Sequence, residues 1–189
     1  IEDIERICQI ANGKGIYLLI DEAYGDYMDV NFSAVNLVNK YGNLIVIKSS
    51  SKVYGMANER IGYIIAGKEI IETYDRVSVP FPFSEKSMKK FIRALSHRKT
   101  YLKKIKKVSK YKERTLNKLN ISSYLYTDMK TPIFTIKSAK YENLSKEFAR
   151  NNIIVEGGDC FINLDKNYVR IRINKQYKKV IKKIKKILY

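Results

Sequence analysis

One histidine, two cysteines and no apolar run long enough to cross a bilayer set the first limits on this chain of 189 residues. His97 stands alone, so histidines and cysteines cannot build a zinc site. Cys8 and Cys160 are too few for a disulfide framework, and Cys8 falls on an apolar helical face; reduced thiols and a cytoplasmic location are the expectation. A membrane helix needs about 20 apolar residues and none is present, so no membrane partner is expected. These residues carry no secretory signal, although a segment ahead of Ile1 could hold one. A start methionine is also missing. Ile1, Ile4, Ile7, Cys8 and Ala11 keep helical spacing from the first residue with no capping residue in front, which reads as the C-terminal portion of a longer protein.

Acidic residues are scarce, 19 against 37 lysines and arginines, for a net charge of +18. Such a balance raises nucleic acid or an anionic surface as a partner. The excess is mostly lysine, spread along the chain and thickest at Lys86–Lys118 and Lys175–Lys186. Nucleic-acid readers instead interleave arginine and aromatics on one element. Near the end, Tyr177, Val180, Ile181, Ile184, Ile187 and Leu188 form an apolar stripe at helical spacing. Lys178, Lys179, Lys182, Lys183, Lys185 and Lys186 fill the opposite face. This describes a docked helix with a solvated basic side, and no nucleic-acid partner is expected.

What the chain does contain is chemically specific. DEAY, Asp21–Tyr24, closes an apolar run, and Lys48–Tyr63 reads KSSSKVYGMANERIGY, with a lysine behind two spaced serines and an arginine eight residues later. A phosphate needs hydroxyl and guanidinium donors, an aldehyde needs an amine to form a Schiff base, and a pyridine nitrogen needs a carboxylate to stay protonated. Each piece alone has a plainer reading. An acid pair after a strand can cap a turn or bind magnesium. SSSK can be a polar loop, and it lacks the glycines of a nucleotide-binding P-loop. The joint order, Asp, Tyr, then Ser-x-Ser-Lys and Arg, is what points to pyridoxal phosphate.

These two segments resemble the fold type I, class I/II aminotransferases, and within them the histidinol-phosphate aminotransferase branch, over nearly the whole chain. The resemblance implies that Lys52 carries pyridoxal 5'-phosphate as a Schiff base and is the catalytic residue. Ser49, Ser51 and Arg60 fall on the family's phosphate-binding positions, Asp21 on the aspartate facing the pyridine nitrogen, and Tyr24 on the tyrosine that bonds the ring oxygen. In YVRIRI, Arg170 is in register with the arginine that receives an anionic group of the substrate, ahead of Arg172. Glu156 departs from the histidinol-phosphate pattern, which presents an arginine near this point. The reaction implied is amino transfer from a small-molecule amino donor to a 2-oxo acid acceptor, 2-oxoglutarate first among them, by a homodimer. The stretch DCFINLDKNYVRIRI also resembles the threonine-phosphate decarboxylases, which keep fold and cofactor and change the bond broken. An alternative of another class is an inactive fragment or a basic binding domain without cofactor.

A chain of this length can bury one good core or two small ones. Helix and strand alternate first: a helix over Ile1–Asn12, a buried strand at Ile16–Ile20, a helix at Ser33–Lys40, strands at Asn43–Lys48 and Ile61–Ala66, and a helix at Lys68–Tyr74. That order predicts a mostly parallel α/β sheet with Asp21 and Ser49–Lys52 facing one crevice beyond the strand ends. Pro80 and Pro82 interrupt it, and a helical pattern then runs from Ser84 toward Leu119. Beyond lie strands at Ser122–Tyr126, Pro132–Ile136, Ile153–Val155 and Tyr168–Ile173, with helices near Tyr141–Asn151 and at the end. The fold class expected is therefore α/β, part of a fold type I large domain over residues 1–95, followed by a small α+β C-terminal domain over residues 96–189. Cys160 has no cation placed to activate it and reads as inert. Tyr54 and Tyr63 read as packing residues.

Overall fold

The computed structural model describes residues 1–120 and 124–189. It divides into two compact units, Ile1–Leu102 and Lys103–Tyr189.

In the first unit, helix α1 (Glu2–Gly13) has three acids in its opening turn, where they complement the helix dipole. It ends where Gly15 takes φ +65°, which lets Ile16 N–H return to the Ala11 carbonyl at 2.9 Å. Strand β1 (Leu18–Asp21) runs parallel to β2 (Leu44–Ser49), with Asp21 opposite Ile47. Strand β3 (Gly62–Ala66) lies on the other side of β2 and runs antiparallel, with Ser49 opposite Gly62. The mostly parallel sheet expected from the sequence is therefore one parallel and one antiparallel pairing here. The link between β2 and β3 holds only the 3₁₀ turn Ala57–Glu59, and without a crossover helix the chain returns beside the strand it left. Cys8 of α1 packs with Ala34, Leu37, Val38, Tyr41, Leu44 and Val46, which form the core on one face of the sheet.

Two expected helices differ. Ser33–Lys40 forms a 3₁₀ turn, Ala34–Leu37, with the Ser33 hydroxyl accepting from Val35 N–H. Valine and asparagine favour an α-helix only weakly. The run from Ser84 is two helices, α3 (Glu85–Ser96) and α4 (Arg98–Leu119), parted at His97. There the Ser96 hydroxyl donates to the Arg93 carbonyl at 2.8 Å, and His97 Nδ1 lies 2.8 Å from the same oxygen, so side chains compete for the final carbonyls. Before them, α2 (Lys68–Val77) runs three residues beyond the expected Tyr74. Phe91 and Ala94 of α3 pack on Tyr54 and Ile61 in a second core cluster.

The second unit holds an antiparallel sheet in the order β4 (Tyr124–Leu125), β5 (Ile133–Lys137), β7 (Tyr168–Arg172), β6 (Glu156–Gly157). The expected Ser122–Tyr126 strand begins at residues outside those described. The Ile153–Val155 strand instead forms at Glu156–Gly157, where the backbone pairs with Arg170 and Val169. Helices α5 (Leu144–Arg150) and α6 (Tyr177–Leu188) supply Leu144, Phe148, Tyr177, Ile181, Ile184 and Ile187 to a core completed by Leu119, Phe134, Ile136, Val169, Ile171 and Ile173. Each such aliphatic or aromatic side chain contributes about 1.5–3 kcal/mol on burial. The lysines read from the sequence as the outer face of α6 are all exposed. Among the described residues no helix is long and apolar enough to cross a membrane.

Candidate active site

Alternation along the first sheet sorts the site residues by face. Leu44, Val46, Lys48 and Ser50 are buried on one side of β2, while Ile45, Ile47 and Ser49 take the other. The parallel register puts Leu18, Ile20 and Glu22 on the first side and Leu19 and Asp21 on the second. Asp21 and Ser49 thus share a face at the carboxyl ends of two neighbouring parallel strands, where α/β sheets collect ligands. Asp21 is exposed, and its Oδ1 accepts from Ala23 N–H at 2.8 Å, turning the chain toward Tyr24.

The loop after β2 brings Lys52 to Tyr24. Lys52 Nζ lies 5.1 Å from the Tyr24 ring centroid, and Tyr24 in turn stacks on Tyr27 with centroids 5.7 Å apart. Ser51 N–H donates to Ser49 Oγ at 3.2 Å, so the two spaced serines belong to one turn. Ser50 between them is buried, its hydroxyl donating to the Ile61 carbonyl at 2.8 Å, and it anchors the loop to the chain entering β3. Arg60 lies at the same end of the sheet, two positions ahead of Gly62, in a left-handed conformation with φ 55°. Its Nη1 donates to Ala57 O at 3.0 Å, so the guanidinium is held on its own turn.

Arg170 belongs to the second unit. It is half-buried on β7, opposite Glu156 on β6 and Thr135 on β5. Its Nη2 donates to Glu156 Oε2, and its guanidinium carbon lies 5.0 Å from the Phe161 ring centroid. Arg172 is exposed, opposite Ile133.

Sequence reasoning passed over the polar group on the reverse face. Lys48 Nζ and Glu22 Oε2 are 2.7 Å apart, with side chains 9% and 5% exposed. The same carboxylate accepts from the Ser33 hydroxyl at 2.7 Å and from Ala34 N–H at 2.6 Å. Burial alone would raise the Glu22 carboxyl; the bonds from Lys48, Ser33 and Ala34 outweigh it and hold it below the usual carboxylate range. A signal existed, since each charge occupies a core-phase position in an apolar alternation. Asp26 is also buried, 3.7 Å from Arg98 Nη2. Burial first and Asp26 second push the Tyr63 hydroxyl up to about 12. Tyr54 and Tyr63 pack on Phe91, with Tyr101 completing the aromatic group. Burial raises the Cys8 thiol, and Cys160 is exposed. Among the described residues no cluster of His, Cys, Asp or Glu could hold a metal ion.

The chain as a whole has known relatives. Histidinol-phosphate aminotransferase 2 of Archaeoglobus fulgidus is 29% identical over 175 residues, 93% of this chain and 49% of that protein. Two solved structures share the fold. L-Threonine-O-3-phosphate decarboxylase of Porphyromonas gingivalis superposes with TM-score 0.84 at 22% identity, covering 99% of this chain and 59% of that one. Histidinol-phosphate aminotransferase of Sinorhizobium meliloti, solved with pyridoxal-5'-phosphate, gives 0.75 at 19%, covering 97% and 52%. The chain spans about half the length of the curated relatives it matches. The family profile "Aminotransferase class I and II" matches residues 1–184, and the chain belongs to that family.

Proposed function

We propose that the protein containing this chain is a pyridoxal-phosphate-dependent aminotransferase with Lys52 as its catalytic residue. The observation that carries the reading is the approach of Lys52 Nζ to the Tyr24 ring beside the strand end that presents Asp21. The donor set fits the cofactor. Lys52 would hold it covalently, Asp21 would accept a hydrogen bond from its ring nitrogen, and Tyr24 would donate to its ring oxygen. Ser49, Ser51 and Arg60 would hold its phosphate, Arg60 after its side chain leaves Ala57 O. When bound, pyridoxal phosphate supplies an electron sink for charge developing at the substrate's alpha carbon.

The chain's own residues account for the rest. The neutral amine of Lys52 would be the base that moves a proton between the substrate's alpha carbon and the cofactor, so its Nζ would have to reach that carbon's proton within one hydrogen-bond length. The carboxylate of Asp21 would keep a proton on the cofactor's ring nitrogen. The serine turn and Arg60 fix the phosphate end and so restrict the geometry at the reacting end. Arg170 receives one anionic group of the amino donor, and a 2-oxo acid is the acceptor. A homodimer is the working assembly.

Borohydride reduction of the intact protein loaded with pyridoxal phosphate, followed by peptide mapping, tests the assignment. The expected label is on Lys52 alone; a label on another lysine, or none, overturns it. Product analysis with an amino acid and 2-oxoglutarate should give a new 2-oxo acid and glutamate, without carbon dioxide.

A further inference from the structure

We infer that Glu22 and Lys48 are a positioning pair that holds Tyr24 and Lys52 in register, a step that rests on the reading of Lys52, Tyr24 and Asp21 as the cofactor site. Glu22 directly follows Asp21 and stands two residues before Tyr24; Lys48 directly precedes Ser49 and stands four before Lys52. The pair therefore joins the roots of the two loops that carry the site, from the opposite face of the sheet.

Three observations make this a clamp. Glu22 N–H extends the parallel ladder by donating to Ile47 O at 2.9 Å, which puts Glu22 beside Lys48 and sets their side chains head to head. The carboxylate also gathers the Ser33 hydroxyl and Ala34 N–H, so the chain that leaves through Tyr24 comes back to the residue it left from. Finally, Gly25 lies against the pair so closely that a Cβ there would stand 2.7 Å from Glu22 Cβ and Oε2 and 3.0 Å from Lys48 Nζ. The turn bearing Tyr24 is thus seated on the ion pair itself.

Two apolar side chains could hold neighbouring strands together equally well, because desolvation offsets much of a buried pair's attraction. What an apolar contact lacks is direction. A carboxylate with an ammonium, a hydroxyl and an amide on its oxygens has one arrangement, and that arrangement sets where each loop departs. Lys52 and Tyr24 lie on different loops, so their approach depends on both departures.

The test uses the intact protein and two readouts other than turnover: the dissociation constant for pyridoxal phosphate, and the pH midpoint of the absorbance of the lysine-linked cofactor. Glu22→Gln is expected to weaken cofactor binding by about tenfold or more and to move the midpoint. Lys48→Arg, which keeps the pair, should stay within about twofold of wild type on binding and leave the midpoint in place. If Glu22→Gln does not fold, the double variant Glu22→Gln/Lys48→Met removes both buried charges together and should show the same cofactor defect. A variant that lowers only the melting temperature, with wild-type binding and midpoint, overturns the clamp. Wild type that takes no borohydride label at Lys52 removes the cofactor reading and the clamp with it. Labelled wild type with unchanged variants removes the clamp alone.

Discussion

Arg170 donates through Nη2 to Glu156 Oε2, its direct register partner across β6 and β7. The arginine proposed to receive the substrate's anionic group therefore already holds a carboxylate, one that the substrate must displace. Both side chains are partly exposed, and such pairs contribute about 0–1 kcal/mol, so the competition is mild. Glu156→Gln should lower KM for an anionic amino acid by up to about fivefold with kcat unchanged. The gain should shrink in high salt, where wild type loses the same pair. A higher KM in Glu156→Gln would show that Glu156 does not compete with the substrate for Arg170.

Glu156 also bears on which amines are accepted. A second anionic group on the substrate placed near this carboxylate is repelled, whereas a neutral or cationic tail is not. Glu156→Arg should raise kcat/KM for histidinol phosphate relative to an unphosphorylated amino acid. Steady-state kinetics on the pair of substrates decides it, and efficient use of the phosphate ester by wild type, unimproved in Glu156→Arg, would sink the claim.

Gly158 supports the strand neighbourhood of Arg170 by leaving no room for anything else. A Cβ on it would stand 2.2 Å from the Asp165 carbonyl oxygen and 2.6 Å from Tyr168 Cβ, so the backbone leading into β7 would have to shift. Gly158→Ala should destabilise by about 2 kcal/mol or more. A chemical melt that places Gly158→Ala within 0.5 kcal/mol of wild type, the ordinary range of a surface change, would contradict the packing.

How far the sequence carried the fold follows the range of the forces involved. The strand ends at Asp21 and Ser49 were legible because each closes an apolar run, and strand ends are set locally. The stripe on α6 was legible for the same reason, as Tyr177, Ile181, Ile184 and Ile187 repeat with the helical period and are buried. The direction of β3 was not, because it depends on whether Ser51–Ile61 crosses the sheet or turns back. The break at His97 was missed because the competition of Ser96 and His97 for the Arg93 carbonyl leaves the apolar period intact. Glu22 and Lys48 each continue the buried phase of their own strand, but that the two charges meet shows only when β1 and β2 are set side by side.

Lys112 gives the protein a pH dependence of definite sign. Its side chain is fully enclosed, with 1% of the residue exposed, and Nζ donates to Thr127 O at 3.1 Å, Thr127 Oγ1 at 2.7 Å and Asp128 O at 2.8 Å. These bonds tie α4 to the turn that leads into β5. Burial pulls the ammonium down to about 8, with the Asp128 carboxylate opposing it in part. The free side chain titrates near 10.5. Between these values the unfolded chain binds more protons than the folded one, so stability must rise with pH across that window and level off above it. Below pH 8 the buried charge costs its full amount, on the order of 3 kcal/mol. Urea melts of wild type and Lys112→Met from pH 7 to 10.5 separate this group from the other lysines and tyrosines. The difference in stability, wild type minus variant, should grow more positive from about 8 upward. A flat difference would mean that the ammonium keeps its ordinary pKa inside the fold.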